Sequence, residues 1–198
     1  MLSYQDTYYS NANKQFYWET SEIHGTVDFI CGNGDVFFNK CILVCESRKK
    51  DEKNGEATIT APYTDASNTF GYVFDGCTIE NKASKFNFGR AWGGVPRLAF
   101  LNTTLNQPSE IAATRFTASG MNVVADKFVE YNSVNAEGTV VSPATNIVKF
   151  VKDSKSNEME TIITPEQAAS YSLDKVFTDW TPAALASQVE ISSPSIAD

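Results

Sequence analysis

The chain has 198 residues, rich in aromatics with 13 Phe, 8 Tyr and 3 Trp, which is enough for one domain with a sizeable core. Its formal net charge of −8 argues against a nucleic-acid backbone or an anionic membrane surface as a partner. No apolar run approaches the length of a membrane span.

The first residues, Met1-Leu2-Ser3-Tyr4-Gln5-Asp6, lack the basic and apolar regions of a signal peptide and read as the middle of a strand. The expectation is a piece of a longer chain. From residue 16 onward a loose internal repeat appears, in which a short apolar strand meets a small or polar residue and then resumes. The runs are residues 16–23, 36–43, 73–79, 99–105 and 128–134. Taking Ser21, Cys41, Cys77, Thr103 and Asn132 as equivalent gives steps of 20, 36, 26 and 29 residues. Rungs of that size with variable loops predict an all-β fold, a right-handed parallel β-helix, with those five residues stacked on successive rungs. The rival, an antiparallel sandwich, would carry more hairpin dipeptides than Asn54-Gly55.

Between the rungs, residues 48–56 hold Arg48, Lys49, Lys50, Asp51, Glu52 and Lys53, a solvated loop that accounts for the longest step. Cys31, Cys41 and Cys77 lie in apolar runs; together with Cys45 they fit no zinc spacing. They read as buried thiols, with a disulfide between neighbouring coils as the alternative. The single histidine, His24, reads as structural or exposed. Past residue 145 the texture changes. Thr164-Pro165-Glu166-Gln167 carries an N-cap, a proline at the first helical position and a glutamine at the third. The chain is therefore divided into a β-helix over 1–145 and a short helical cap and tail over 146–198, packed on it.

Three stretches carry chemistry: residues 4–9 around Gln5 and Asp6, residues 25–32 around Asp28, and residues 88–93 around Arg90 and Trp92. Asp28 stands between Val27 and Phe29-Ile30, where a carboxylate needs a partner because burying an unpaired charge is costly. Read alone, it also fits a paired charge in a ladder or turn. Asp6 and Asp28 are one turn of a solenoid apart, so they would stack side by side. Two such carboxylates split into a proton donor and an ionised group, as a nucleophile with a general acid requires.

These stretches resemble, in order and spacing, the Gln-Asp-Thr-Leu, Asp-Phe-Ile-Phe-Gly and Leu-Gly-Arg-Pro-Trp motifs of the pectin methylesterases. The similarity runs from Leu2 to about Leu105, weakens, and partly returns over residues 164–182. It implies a pectinesterase covering the C-terminal two-thirds of the catalytic domain. That enzyme would hydrolyse galacturonate methyl esters of pectin to methanol and pectate, without metal or organic cofactor. By the same resemblance Asp28 is the nucleophile and Asp6 the general acid/base. Gln5 stabilises the oxyanion, Arg90 orients the nucleophile, and Trp92 and Tyr9 line the sugar cleft. It also implies a secreted or periplasmic full-length protein whose partner is methylesterified homogalacturonan, not nucleic acid or membrane.

Departures accompany the match. Ala91 stands for the motif's proline and Cys31 for its last aromatic. The family's Gly-Trp-x-x-Trp segment is not recognisable in residues 111–122, and its upstream Gln-Ala-Val-Ala-Leu motif is absent. Missing first coils would leave an exposed N-terminal edge through which the chain associates and would weaken its turnover. The alternatives are a non-catalytic carbohydrate-binding β-helix and, further off, a polysaccharide lyase or galacturonase on a similar solenoid.

Overall fold

The computed structural model describes residues 1–117 and 121–182. Residues 118–120 of the segment searched for the tryptophan motif, and 183–198 of the expected tail, lie outside the described residues. Five coils follow one another, each contributing three short strands. The first coil holds β1 (Tyr8–Ser10), β2 (Gln15–Glu19) and β3 (Glu22–Gly25); the second, β4 (Val27–Gly32), β5 (Asp35–Asn39) and β6 (Ile42–Cys45). The third holds β7 (Glu56–Pro62), β8 (Tyr72–Asp75) and β9 (Thr78–Asn81), and the fourth β10 (Lys85–Arg90), β11 (Arg97–Leu101) and β12 (Thr104–Leu105). The fifth holds β13 (Phe116–Thr117), β14 (Lys127–Tyr131) and β15 (Val134–Asn135). Like strands of successive coils pair in parallel and in coil order, forming three five-stranded sheets. This is a parallel β-helix.

Alternation along each strand sends one set of side chains into the space between the sheets. Trp18, Phe38, Phe74, Phe100 and Glu130 share one register position on the second sheet. Within that column the Phe38 and Phe74 rings stack at 4.4 Å, and Phe74 and Phe100 at 4.4 Å. Phe88, from the first sheet, stacks on Phe100 at 4.2 Å. Offset stacking of identical rings adds to the burial of their area, so the core is a pile of aromatics running along the helix axis.

The corner between the second and third sheets repeats a backbone device. Thr20, Lys40, Gly76, Asn102 and Asn132 all have φ between 45° and 63°, in the left-handed region. The corner N–H groups of Thr20, Lys40, Gly76 and Asn102 each donate to a carbonyl of the next coil, at 2.9–3.0 Å. The ladder therefore continues through the bend. The residue after each corner points inward: Ser21, Cys41, Cys77, Thr103 and Ser133. Strand register on both sides of the corner aligns them. The expected column is correct for its first four members and off by one at the fifth, where Ser133 takes the place assigned to Asn132. Asparagine tolerates the left-handed corner, and Asn132 Nδ2 there donates to Asn102 Oδ1 at 2.9 Å, while Ser133 is 3 % exposed.

Arg48 to Lys53 are exposed, as a solvated loop requires, and all four cysteines are buried thiols. After the fifth coil comes an antiparallel hairpin that the sequence reading did not anticipate, β16 (Ile147–Lys152) and β17 (Lys155–Glu160). Its two-residue turn, Asp153 and Ser154, has φ of 49° and 63°, the double positive φ that matches hairpin twist. Phe150 of β16 is fully buried against Phe128. Two short helices follow, α1 (Pro165–Ala168) and α2 (Leu173–Val176). Thr164 and Gln167 cap α1 reciprocally, side chain to backbone, at 3.3 and 2.9 Å. This segment lies along the outer face of the second sheet, where Tyr171, Val176 and Phe177 cover Phe37, Val73, Ala99 and Val129.

Candidate active site

The site is built on the outer face of the first sheet, and a backbone irregularity makes it. Gln5 pairs with Val27 and Tyr8 with Ile30, so Asp6 and Asp28 occupy the same place on the first and second coils. Both have left-handed backbones, φ 51° and 48°, a conformation that aspartate visits more readily than most residues but still at a cost. Opposite β7 the register slips between Val27 and Ile30. One extra residue is inserted there, a β-bulge of the kind that re-aims a side chain. As a result the consecutive Phe29 and Ile30 both join the core. Gly25 makes room for this, since a Cβ there would sit 2.1 Å from the Phe29 Cβ. Thr26 fastens the first coil's loop to β4, its Oγ1 donating to the Tyr4 carbonyl at 2.6 Å.

Arg90 reaches this point from two coils away. It follows Gly89, which pairs with Thr60, and so stands beside Ala61, which in turn pairs with Cys31. Strands in a sheet lie about 4.8 Å apart, so the Arg90 side chain must cross one strand, and the small Ala61 leaves the path open. Gly89 lets β10 come close: a Cβ there would meet Thr60 Oγ1 at 2.1 Å. The guanidinium then grips Asp28, with Nε 2.9 Å from Oδ1 and 3.1 Å from Oδ2, and Nη2 2.5 Å from Oδ2. Such forked pairing fixes the plane of the carboxylate. Asp28 is only 3 % exposed, and a carboxylate so buried needs that cation. The pairing pushes the Arg90 pKa up, against the opposing effect of burial.

Asp6 lies in the open on the other side of Asp28 and accepts from the Cys31 thiol, Sγ to Oδ1 3.3 Å. Burial, with the Asp6 carboxylate second, pushes the Cys31 thiol up to about 12. Gln5 is exposed one residue before Asp6. Tyr9 is 58 % exposed at the register position beside Cys31. Trp92 is half-buried and meets the exposed Tyr63 edge to face, ring centroids 5.5 Å apart. Tyr63 escaped the sequence reading; its one signal was an aromatic directly after Pro62 at the end of a strand. His24 sits apart on the third sheet, with Nδ1 2.7 Å from Glu46 Oε1 and Nε2 against Glu22. Among the described residues no group of three or more His, Cys, Asp or Glu converges to hold a metal.

The geometry offers an oriented carboxylate, a second carboxylate beside it, an exposed amide and an aromatic rim on one face. A family model described as Pectinesterase matches residues 1–177. Pectinesterase A of Dickeya dadantii is 29 % identical over 92 % of this chain and 52 % of its own length. A probable pectinesterase/pectinesterase inhibitor of Arabidopsis thaliana is 30 % identical over 74 % of this chain and 27 % of its own. Among solved structures, a pectin methylesterase in complex with a hexasaccharide superposes with a TM-score of 0.66 at 26 % identity. That match covers 91 % of this chain and 56 % of that one. The chain spans about half the length of the bacterial relative it matches.

Proposed function

The chain belongs to the pectinesterase family, and from that premise we propose that it hydrolyses the methyl esters of galacturonate units in pectin, with Asp28 as nucleophile and Asp6 as general acid/base. The observation that carries the reading is the pair of left-handed aspartates at one rung position, the inner one gripped by Arg90. An Asp28 oxygen adds to the ester carbonyl carbon, and the amide of Gln5 donates to the oxygen that becomes negative. As the carbon–methoxy bond breaks, Asp6 gives its proton to the departing oxygen, and methanol leaves. The acyl group is now joined to Asp28. Asp6, ionised, takes a proton from water; the hydroxyl adds to the acyl carbon, and the bond to Asp28 breaks, restoring the carboxylate and freeing the acid. Arg90 holds the Asp28 plane toward the substrate throughout. Tyr9, Trp92 and Tyr63 offer faces on which sugar rings rest.

Pectin lies outside the cytoplasm, and a secreted or periplasmic location follows from that substrate. Among the described residues β1 and β2 have a strand neighbour on one side only, whereas Leu2 bridges His24 on the outer side of β3, and an open edge such as that of β1 and β2 pairs readily with further strands. Methanol release from methylesterified pectin tests the proposal. Asp28→Asn keeps the shape and removes the attacking oxygen charge, so release should fall by about 10³-fold or more. If Asp28→Asn turns over like the parent, the assignment is wrong. A folded parent that binds methylesterified pectin and releases no methanol would make this a carbohydrate-binding β-helix instead.

A further inference from the structure

We propose that Cys31 is a positioning residue for Asp6: its thiol donates to Asp6 Oδ1 and holds that oxygen, leaving Oδ2 to carry the proton. The inference rests on the reading of Asp6 as acid/base. Cys31 lies three residues past Asp28 on β4, one coil from Tyr9 and one from Ala61. Its neighbour Ile30 points into the core, so alternation turns the thiol to the site face, where it is 2 % exposed. Asp6 is exposed, on a left-handed backbone, just before β1 at the edge of the first sheet. Such a carboxylate has many orientations to lose, and the 3.3 Å contact from Sγ restrains it. A thiol this buried stays protonated at neutral pH. It is therefore a donor and not a nucleophile, since only the thiolate attacks. When Asp6 passes its proton to the leaving oxygen, negative charge grows on the carboxylate. A hydrogen bond to that charge is stronger than one to the neutral acid. The thiol therefore contributes more in the transition state than before it, the condition for an effect on kcat.

Two readouts on the 198-residue chain test this. The first is the infrared S–H stretch, which needs no activity. Cys31→Ser should remove one broadened, low-frequency S–H band from the parent spectrum, and Asp6→Ala should move that band to higher frequency. If no S–H band of the parent moves on Asp6→Ala the proposal is overturned, and that comparison needs no Cys31 variant. The second is methanol release. Cys31→Ala should lower kcat about three- to tenfold, the worth of one modest hydrogen bond, with KM unchanged. Cys31→Ser, which keeps a donor, should return to within about twofold of the parent. Equal losses in Ala and Ser, or a shift in KM alone, would make Cys31 a packing residue and overturn the role. Asp6→Ala with full turnover would overturn the acid/base reading itself, which is a different failure from that of Cys31.

Discussion

At the scale of single residues, the site hangs on one cation. Asp28 is buried and its partner Arg90 reaches it with a fork of two nitrogens across an intervening strand. Lysine offers a point charge on a flexible stem, with no planar fork. Arg90→Lys should therefore lower kcat by about 10²-fold in methanol release while leaving the melting temperature within a few degrees. Arg90→Ala should do more, because a buried carboxylate left alone costs about 3–5 kcal/mol, visible in denaturant titration. The types and order of Asp6, Asp28, Arg90 and Trp92 were legible in the sequence, because each sits in a short run whose neighbours are diagnostic. Their backbone was not. No glycine or asparagine marks positions 6 and 28, and the left-handed turn at Asp28 coincides with a bulge that exists only once β7 is in place beside β4. Tyr63 was missed for a similar reason: its role comes from standing near Trp92, 29 residues away in sequence and one coil away in space.

At the scale of elements, the rung pattern was readable because each coil repeats a strand, a small residue and a strand. The fifth rung shows the limit of such reading. A slip of one residue exchanges an inward position for a corner, and only the paired registers of β11 with β14 and β12 with β15 settle it. The hairpin turn at Asp153 and Ser154 was unreadable for lack of glycine. The core column makes two predictions. Phe74 stacks on Phe38 on one side and Phe100 on the other, so Phe74→Ala should cost about 3–5 kcal/mol. Phe38→Ala, whose other neighbour in the column is the half-buried Trp18, should cost less; denaturant titration of both compares them. The column ends at Glu130, 1 % exposed, with Arg115 Nε 3.6 Å away. Burial raises the Glu130 pKa above the ordinary 4.5, and Arg115 offsets this only in part. The folded state thus holds that proton more tightly than the unfolded state. Stability from this group is greatest below pH 4.5 and is lost as pH rises toward the folded pKa. Glu130→Gln has no such proton. The melting temperature of the parent minus that of Glu130→Gln should therefore become more negative as pH rises from about 4.5, then level off; a constant gap would contradict it.

At the scale of the whole molecule, a stack of coils is nearly one-dimensional: each coil contacts its neighbours, and end coils fray most easily. This chain has a strap against that. After the fifth coil the C-terminal segment runs back along the second sheet in the reverse order of the coils. Ile163 bonds Glu130 of the fifth coil, Tyr171 meets Phe70 beside the third, and Phe177 meets Phe37 of the second and Tyr17 of the first. Trp180 Nε1 ends on Gln15 Oε1 of the first coil at 2.8 Å. The strap thus links the last coil to the first, and the first coil carries Asp6. Removing its far end should loosen that coil selectively. In Phe177→Ala with Trp180→Ala, amides of β2 and β3 should exchange hydrogen about 10- to 100-fold faster, whereas those of β8 and β11 should keep their protection. Methanol release should fall in step with the loosening of the first coil, because Asp6 no longer keeps its place beside Asp28. If all coils lose protection together, the stack unfolds as one unit and the strap merely adds to its total stability. If only the strap's own amides respond, the first coil is held by the second coil alone, and the coupling between the tail and the site does not exist.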